Sequence, residues 1–233
     1  MGKKIAIYGA GTIGACQATL TSGNGYSTVV IGHSEEGLSR CRNTMLQNWN
    51  DLIAQKLATA ANRRAAMDLV TITNDVSALR DCDIVFEAVS EDVNIKQRGY
   101  SIITEVCGRD IIVVSTTSSI DAAILAEKIE NPARFLIAHP FQPVHMLPLV
   151  EVVRHTETSE ETLNQVCTLL KDLNRQVVML NRSVPGFLVN RFAQALFRES
   201  IYLIEQGITT AADIDRAIKY AVGMRYASIG LLE

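Results

Sequence analysis

A histidine and a glutamate lie close together in the sequence and could form an acid/base pair. His139 lies in the run Ala138-His139-Pro140-Phe141-Gln142-Pro143, and Glu151 follows in Leu149-Val150-Glu151. An imidazole takes and gives a proton near neutral pH, and a carboxylate on its second nitrogen fixes the tautomer and stabilises the imidazolium. Such pairs also occur in ordinary polar networks, so the rest of the sequence must decide between chemistry and structure.

A glycine-rich turn follows the first apolar run of the chain. Residues 3–8 predict a short strand, and Gly9, Gly11 and Gly14 come between it and a helical run over 15–20. In this context Gly9 allows a tight turn, Gly11 lets the backbone approach a pyrophosphate, and Gly14 permits close packing of helix on strand. The free N–H groups of the helix then face the phosphates. The pattern predicts a dinucleotide site.

Strand-like and helical segments alternate along most of the chain. Short apolar runs between helices predict a parallel sheet covered on both faces. These runs are 27–31, 69–73, 83–88, 111–115, 135–138, 149–153 and 176–180. Only helix signals remain after the Pro/Gly-containing boundary at 181–186. We expect an α/β fold with a Rossmann-type doubly wound, mostly parallel sheet in residues 1–184, followed by an all-helical C-terminal domain in residues 185–233.

The helical part after Pro185 is short for an independent domain. Thr210 predicts the N-cap of one helix, and the helix before it, which stops at Gly207, carries one apolar face. Such a face needs a partner, which is the first domain, a second subunit or further chain. We expect a homodimer and a chain that continues beyond Glu233. The residues of this face are Leu188, Phe192, Leu196 and Leu203.

The composition argues against several classes of protein. The 233 residues carry a formal charge of −3 and are 48% hydrophobic. Without a concentrated positive face, nucleic acid is not an expected partner. We expect no membrane association and a cytoplasmic location, because no apolar run approaches ~20 residues and the start lacks a signal-peptide layout. The five scattered cysteines are expected to be buried thiols, and no spacing of ligands predicts a metal.

Several further motifs occur in the same order as in a known family. Together with the glycine turn they make the chain resemble the 3-hydroxyacyl-CoA dehydrogenase family over nearly all of its length. The motifs lie at 9–14, 87–91 with Lys96, 118–119, His139 with Glu151, and 186–191.

The resemblance implies a role for each matching residue. His139 would take the proton of a substrate hydroxyl while the carbon beneath passes hydride to nicotinamide, and Glu151 would orient His139. Ser118 and Asn190 would hold the oxygen of a small-molecule substrate, because pre-aimed donors stabilise its growing charge. The cofactor-binding residues would be Gly9, Gly11, Thr12, Ile13, Gly14, Gly32, Ser34, Glu91, Lys96 and Gln142.

Other interpretations of the same residues stay open. Without the family pattern, Glu91 and Lys96 would indicate a solvated start of a helix, and Ser118 would indicate a helix cap. A dinucleotide fold also occurs in proteins without turnover, so the alternative function is a catalytically silent dinucleotide-binding sensor or a crystallin-like protein.

One departure from the family concerns the cofactor. After the second strand an NAD site usually presents an acidic residue to the ribose 2′-hydroxyl, but Gly32 stands at this position. Gly32 and Ser34, with Arg40 or Arg42 nearby, would admit a 2′-phosphate, although Glu35 and Glu36 oppose a strongly positive pocket. NAD and NADP both stay open, with a slight tilt toward NADP.

A second departure concerns the substrate. Pro140 and Gln142 stand where acyl-CoA enzymes usually carry an aromatic residue and Asn. The form His-Pro-x-x-Pro, with the segment 223–227, is similar to the branch of gulonate 3-dehydrogenase, lambda-crystallin and carnitine dehydrogenase, which oxidises small free hydroxy acids. Arg225 would then pair with a substrate carboxylate, or be an ordinary surface arginine. A CoA thioester also stays open, although basic residues for its phosphates are few: Lys56, Arg63 and Arg64.

Overall fold

The computed structural model describes residues 3–233, and within this range the chain forms eight β-strands and nine α-helices. The strands are β1 (Lys4–Tyr8), β2 (Ser27–Ile31), β3 (Val70–Thr73), β4 (Ile84–Glu87), β5 (Ile112–Ser115), β6 (Phe135–Pro140), β7 (Leu149–Arg154) and β8 (Gln176–Leu180). The helices are α1 (Thr12–Gly23), α2 (Glu35–Ala54), α3 (Ala60–Asp68), α4 (Val93–Cys107), α5 (Ala122–Ala126), α6 (Glu160–Asp172), α7 (Val189–Glu205), α8 (Ala211–Ala217) and α9 (Gly223–Tyr226).

The strands form one sheet in the order β3-β2-β1-β4-β5-β6-β7-β8. Neighbouring strands run parallel except β6 and β7, which are antiparallel. The predicted α/β fold with a mostly parallel sheet and a helical C-terminal part is therefore confirmed. From β1 the sheet is extended on one side by β2 and β3 and on the other side by β4 and the later strands, so the strand order switches between β1 and β4. In such sheets ligands bind at this switch point, beyond the carboxyl ends of the strands.

Alternating side chains of the central strands bury against helices on both faces of the sheet. Ile5 and Ile7 of β1 point to one face, and Ala6 between them packs into the core on the other. This follows from the two-residue period of a strand, and the absence of a solvated face explains the near-continuous apolar runs in the sequence. A polar residue on such a strand must then find its partners inside the protein.

Local capping chemistry sets the starts of most helices. Thr210 accepts a hydrogen bond from the Asp213 N–H and begins α8, which confirms this predicted cap. By contrast, α1 begins at Gly11 without a side-chain cap, so its first N–H groups remain available to an anion. Asp121 caps α5, so the interpretation of Ser118 as a helix cap is wrong.

The chain divides into two compact units, with the division between Phe187 and Leu188. The first unit contains the whole sheet. The second contains α7, α8 and α9, and a π-helical turn at Ile218–Val222 joins α8 to α9. The boundary between 184 and 185, and a substrate or dimerisation role for the second unit, stay predictions. No helix within residues 3–233 is long and apolar enough to cross a membrane.

The cysteines differ in their exposure. Cys16, Cys41 and Cys82 are buried, and burial raises the pKa of Cys41 and of Cys82 to about 11, so both are thiols at neutral pH. Cys107 and Cys167 are partly exposed, and the expectation of burial is wrong for these two. Cys107 is the last residue of α4, and Cys167 packs near the edge strand β8, so solvent reaches both.

Candidate active site

His139 and Glu151 are brought together by the antiparallel pairing of β6 and β7. The register places them directly opposite each other, and His139 Nδ1 lies 2.8 Å from Glu151 Oε2. Glu151 is fully buried and His139 is 6% exposed. Because a carboxylate only accepts, the shared proton belongs on Nδ1, which leaves Nε2 as the nitrogen that can take a proton from another group.

Two aromatic rings pack against the His139 imidazole. The ring centroid of Phe141 lies 4.6 Å away and that of Phe187 lies 5.5 Å away. Phe187 is buried and adopts a left-handed backbone conformation with φ of 48°, which is costly for a bulky residue. These apolar walls restrict rotation of the imidazole and strengthen its hydrogen bond to Glu151 by excluding water.

The loop of residues 116–120, which we call the Ser118 loop, follows β5, the neighbour of the strand β6 that carries His139. Ser115, the last residue of β5, pairs with Ile137 of the parallel strand β6. The loop therefore begins at the same end of the sheet as His139, which lies two residues after Ile137. Glu91 Oε1 accepts hydrogen bonds from Thr117 Oγ1 at 2.6 Å and from the Ser118 N–H at 2.9 Å. Glu91 thus connects the end of β4 to the loop that carries Ser118.

The pKa of Glu91 is lowered from its ordinary value. Burial raises this pKa, but the Thr117 hydrogen bond, the Lys96 charge and the Ser118 N–H together outweigh the burial. Glu91 is therefore a carboxylate at neutral pH, as its acceptor role requires.

Lys96 lies in the first turn of α4 and is 1% exposed. Its Nζ lies 2.8 Å from Glu87 Oε1 and 3.3 Å from Glu91 Oε2. The interpretation of Lys96 as part of a solvated helix start is therefore wrong, because two carboxylates hold the ammonium inside the protein. A role for Lys96 and Glu91 toward the cofactor stays a prediction.

Glu87 is a residue to which sequence reasoning assigned no role. It ends β4, is fully buried, and accepts hydrogen bonds from Lys96, Tyr100 and Ser115. Burial and the Glu87 charge raise the pKa of Tyr100, so this hydroxyl remains a donor. The sequence feature that could have indicated a role for Glu87 is its place at the end of a strand covered on both faces, since a buried acidic group needs hydrogen-bond partners.

The glycine turn between β1 and α1 brings the backbone into close contact with its surroundings at two of its three glycines. Gly9 has φ of 131°, and a Cβ added there would lie 2.4 Å from the Ala88 carbonyl oxygen. A Cβ on Gly14 would lie 1.9 Å from the Gly9 carbonyl oxygen, whereas one on Gly11 would meet nothing within 4 Å. Gly9 and Gly14 thus permit close packing, while Gly11 borders open space at the start of α1, where Thr12 and Ile13 follow.

A cavity of about 680 Å³ extends from this turn toward the end of β2. Its walls come from the carboxyl ends of β1, β2 and β4, at the reversal of strand order, and from α4, which contributes Ile95, Arg98, Gly99 and Ile102. Apolar side chains and backbone dominate the lining, as a nucleoside requires, so the residues present fit a dinucleotide. Among them are Gly9, Ala10, Ile31, Gly32, Asn74 and Val89.

The two parts of the chain match two models of one family. Residues 4–183 match the model described as 3-hydroxyacyl-CoA dehydrogenase, NAD binding domain, and residues 186–233 match the model of the C-terminal domain. The chain belongs to the 3-hydroxyacyl-CoA dehydrogenase family. The resemblance seen in the sequence is confirmed.

Several individual proteins are similar to this family member over nearly all of its length. An L-carnitine dehydrogenase from Bacillus cereus is 31% identical over 98% of this chain and 69% of that protein. The structure of (S)-3-hydroxybutyryl-CoA dehydrogenase from Ralstonia eutropha has a TM-score of 0.90 at 28% identity, covering 95% of this chain and 78% of that chain. The structure of a 5-formyl-3-hydroxy-2-methylpyridine 4-carboxylic acid 5-dehydrogenase, an NAD+ dependent dismutase, also has a TM-score of 0.90, at 30% identity over 100% and 74% of the respective chains.

These similarities make the chain a nicotinamide-dependent dehydrogenase with a small-molecule substrate. The expectations of an enzyme, a nicotinamide cofactor and a small-molecule substrate are confirmed at this level. Within residues 3–233 of the dehydrogenase, no group of three or more His, Cys, Asp or Glu side chains is arranged to hold a metal.

The segment after β2 of the dehydrogenase carries an acidic surface. Ser34 accepts a hydrogen bond from the Gly37 N–H and caps α2. Glu36 forms an ion pair with Arg40, and Glu35 accepts a hydrogen bond from Asn74, which lines the cavity. Arg40, one of the two arginines that could serve a 2′-phosphate, therefore already has a carboxylate partner.

Three further predicted site residues belong to other elements of the chain. Gln142 is exposed in the loop after β6, Asn190 lies in the first turn of α7, and Arg225 is exposed in α9. Asn190 and Arg225 belong to the second unit. Their roles, and that of Gln142, stay predictions.

Proposed function

We propose that this dehydrogenase oxidises the C3 hydroxyl of a small 3-hydroxy acid, with His139 as the general base and NAD as the hydride acceptor. The contact between His139 Nδ1 and Glu151 Oε2, at 2.8 Å in a buried setting, is the observation that supports this most directly. A base must be held in one tautomer within reach of the proton that it takes.

Each residue would have its own role in the reaction. His139 Nε2 accepts the proton of the substrate hydroxyl, and Glu151 stabilises the imidazolium that forms. Ser118 donates to the substrate oxygen, on which negative charge grows as the C–H bond breaks. A bound nicotinamide supplies the site that accepts the hydride. The Phe141 and Phe187 rings exclude water from the imidazole.

For the cofactor we propose NAD rather than NADP. A 2′-phosphate would bring negative charge toward Glu35 and Glu36, and like charges brought together oppose binding. The family model is described as an NAD binding domain, and one relative is an NAD+ dependent enzyme. Gly32 itself does not discriminate between the cofactors. It presents no side chain to the ribose, and a larger residue is excluded there because its Cβ would meet Leu38 and Ala10 within 3 Å.

This proposal predicts that kcat/KM for NAD exceeds that for NADP by about tenfold or more, or about 1.4 kcal/mol. Glu36→Gln releases Arg40 and is expected to raise kcat/KM for NADP while leaving that for NAD nearly unchanged. Glu161→Gln is the matched control, because Glu161 of α6 forms an ion pair with Arg134 and its replacement also releases an arginine from a carboxylate. Steady-state rates with both cofactors test this, and a preference of the unaltered enzyme for NADP would contradict it.

For the substrate we propose a free acid over a CoA thioester. Arg63, one of the few basic candidates for CoA phosphates, is engaged by Asn50 at 2.8 Å. The relative from Bacillus cereus acts on carnitine, a small free hydroxy acid. The thioester remains the second candidate, because the relative from Ralstonia eutropha acts on (S)-3-hydroxybutyryl-CoA.

Absorbance of reduced nicotinamide distinguishes the two substrate classes. We expect oxidation of a free 3-hydroxy acid, using carnitine and gulonate as probes, at a kcat/KM at least about tenfold above that for oxidation of (S)-3-hydroxybutyryl-CoA. The reverse ratio would favour the CoA thioester as the substrate. Cofactor binding without turnover of any probe would instead favour the catalytically silent binding protein.

We also propose that the chain forms a homodimer. Large apolar side chains on α7 are exposed in the single chain, and a face of this kind on a helix typically packs against a partner. Light scattering of the purified protein measures its mass directly, and a monomeric mass would contradict this proposal. The exposed side chains include Phe192, Leu196, Phe197 and Tyr202.

A further inference from the structure

We propose that Glu87 is a positioning residue for the Ser118 loop. It holds the Lys96 ammonium in one place and, through Lys96, keeps Glu91 on the loop. This inference rests on the proposed function, because it matters for catalysis only if Ser118 contacts the substrate. The role differs from that of His139 and Glu151, since Glu87 acts through other side chains.

Both oxygens of Glu87 are occupied by donors from three elements. Oε1 accepts from the Val89 N–H at 2.9 Å and from Lys96 Nζ at 2.8 Å. Oε2 accepts from Tyr100 Oη at 2.8 Å and from Ser115 Oγ at 2.8 Å. A fully buried carboxylate held from several directions cannot rotate, so it presents a stationary negative charge to Lys96.

Lys96 transmits this fixed position to Glu91. Its ammonium lies between the two carboxylates, at 2.8 Å from Glu87 and 3.3 Å from Glu91. The shorter contact is the one to the immobile partner, and the lysine side chain is 1% exposed. Water therefore cannot replace a lost carboxylate without a movement of the chain.

Glu91 uses its two oxygens for different partners. Oε2 faces Lys96, whereas Oε1 accepts from Thr117 Oγ1 and from the Ser118 N–H and Oγ. Because Lys96 holds Oε2, the other oxygen is turned toward the loop. If the ammonium moved toward Glu91 or toward water, the carboxylate would reorient and the loop contacts at Oε1 would lengthen.

Glu87→Gln tests this chain of contacts. The amide keeps the size of the side chain but removes the charge that holds Lys96, so Lys96 is expected to move. Tyr100→Phe is the matched control, because it removes one hydrogen bond from the same carboxylate and leaves every charge in place. A purely structural role of Glu87 would make the two variants behave alike.

Two measurements separate loop position from turnover. Amide hydrogen exchange of residues 116–120, without substrate or cofactor, is expected to be about tenfold faster or more in Glu87→Gln and unchanged in Tyr100→Phe. Under saturating substrate, kcat is expected to fall about tenfold or more in Glu87→Gln alone, because a displaced donor loses much of its effect. Equal effects in both variants, or unchanged exchange in Glu87→Gln, would overturn the proposal.

The exchange measurement also keeps this inference separate from the proposed function. If the unaltered enzyme turns over no substrate, the proposed function fails while the exchange rates still report on Glu87. If Glu87→Gln does not fold, the double variant Glu87→Gln/Lys96→Met removes both buried charges and avoids an unpaired one. Faster exchange of the loop is expected there as well, and wild-type exchange with full kcat would overturn the proposal.

Discussion

Replacement of His139 by glutamine is expected to lower kcat by about 10²- to 10⁴-fold, which is the range that general acid/base catalysis contributes. Glutamine retains a polar group near Glu151 but cannot accept and return a proton near neutral pH. The surrounding rings of Phe141 and Phe187 leave little room for water to act in its place. Cofactor affinity should stay near that of the unaltered enzyme, because the glycine turn is untouched.

The measurement is steady-state turnover together with cofactor titration. Glu151→Gln is expected to lower kcat in the same direction, since an amide does not stabilise the imidazolium and no longer sets the tautomer. His155→Gln is the matched control, because His155 lies after β7 in a loop, where its Nδ1 accepts a local backbone hydrogen bond from Glu157. A His139→Gln enzyme with more than about half of the original kcat would exclude His139 as the base.

Two alanine substitutions in the glycine turn are expected to have different effects, one on stability and the other on cofactor affinity. Gly14→Ala should lower the free energy of unfolding by about 3 kcal/mol or more, because the new Cβ would lie 1.9 Å from the Gly9 carbonyl oxygen. The helix preference of alanine offsets only about 1 kcal/mol of this loss. The clash involves backbone atoms of the turn and of α1, which cannot rotate away as a flexible side chain can.

Gly11→Ala should behave differently at a position only three residues earlier. Its Cβ meets nothing within 4 Å, so the thermal unfolding temperature without cofactor should stay near that of the unaltered protein. The methyl group does occupy the space at the start of α1 where a pyrophosphate would approach, so cofactor affinity should fall about tenfold or more.

Thermal unfolding without cofactor and fluorescence titration with NADH distinguish the two effects. The expected pattern is a loss of stability in Gly14→Ala and a loss of affinity with intact stability in Gly11→Ala. Full NADH affinity in Gly11→Ala would contradict the placement of the pyrophosphate at this helix start.

The sequence predicted those features that depend on neighbouring residues. Strands β2 and β8 were predicted with the bounds that the structure has, because apolar runs between turn residues are a local pattern. The glycine turn was predicted for a similar reason, since Gly9, Gly11 and Gly14 all lie within one strand–turn–helix unit. Thr210 was predicted as a cap from its own side chain and the following three residues.

The contacts within the candidate site were less accessible to sequence reasoning. His139 and Glu151 could be nominated together, but only the register of the antiparallel strands places their side chains face to face. Lys96 could be interpreted as a solvated helix start, and only the packing of α4 on β4 encloses it between Glu87 and Glu91.

The sequence by itself determined the class of fold, the dinucleotide turn and the identity of the candidate base, because these depend on period, glycine placement and residue type. The tertiary structure decided which charges meet. Glu87 illustrates the difference, since its partners come from β5 and α4 as well as from the turn after its own strand. Hydrogen bonds between segments distant in sequence are set by strand order, register and helix packing, which no local pattern of residues specifies.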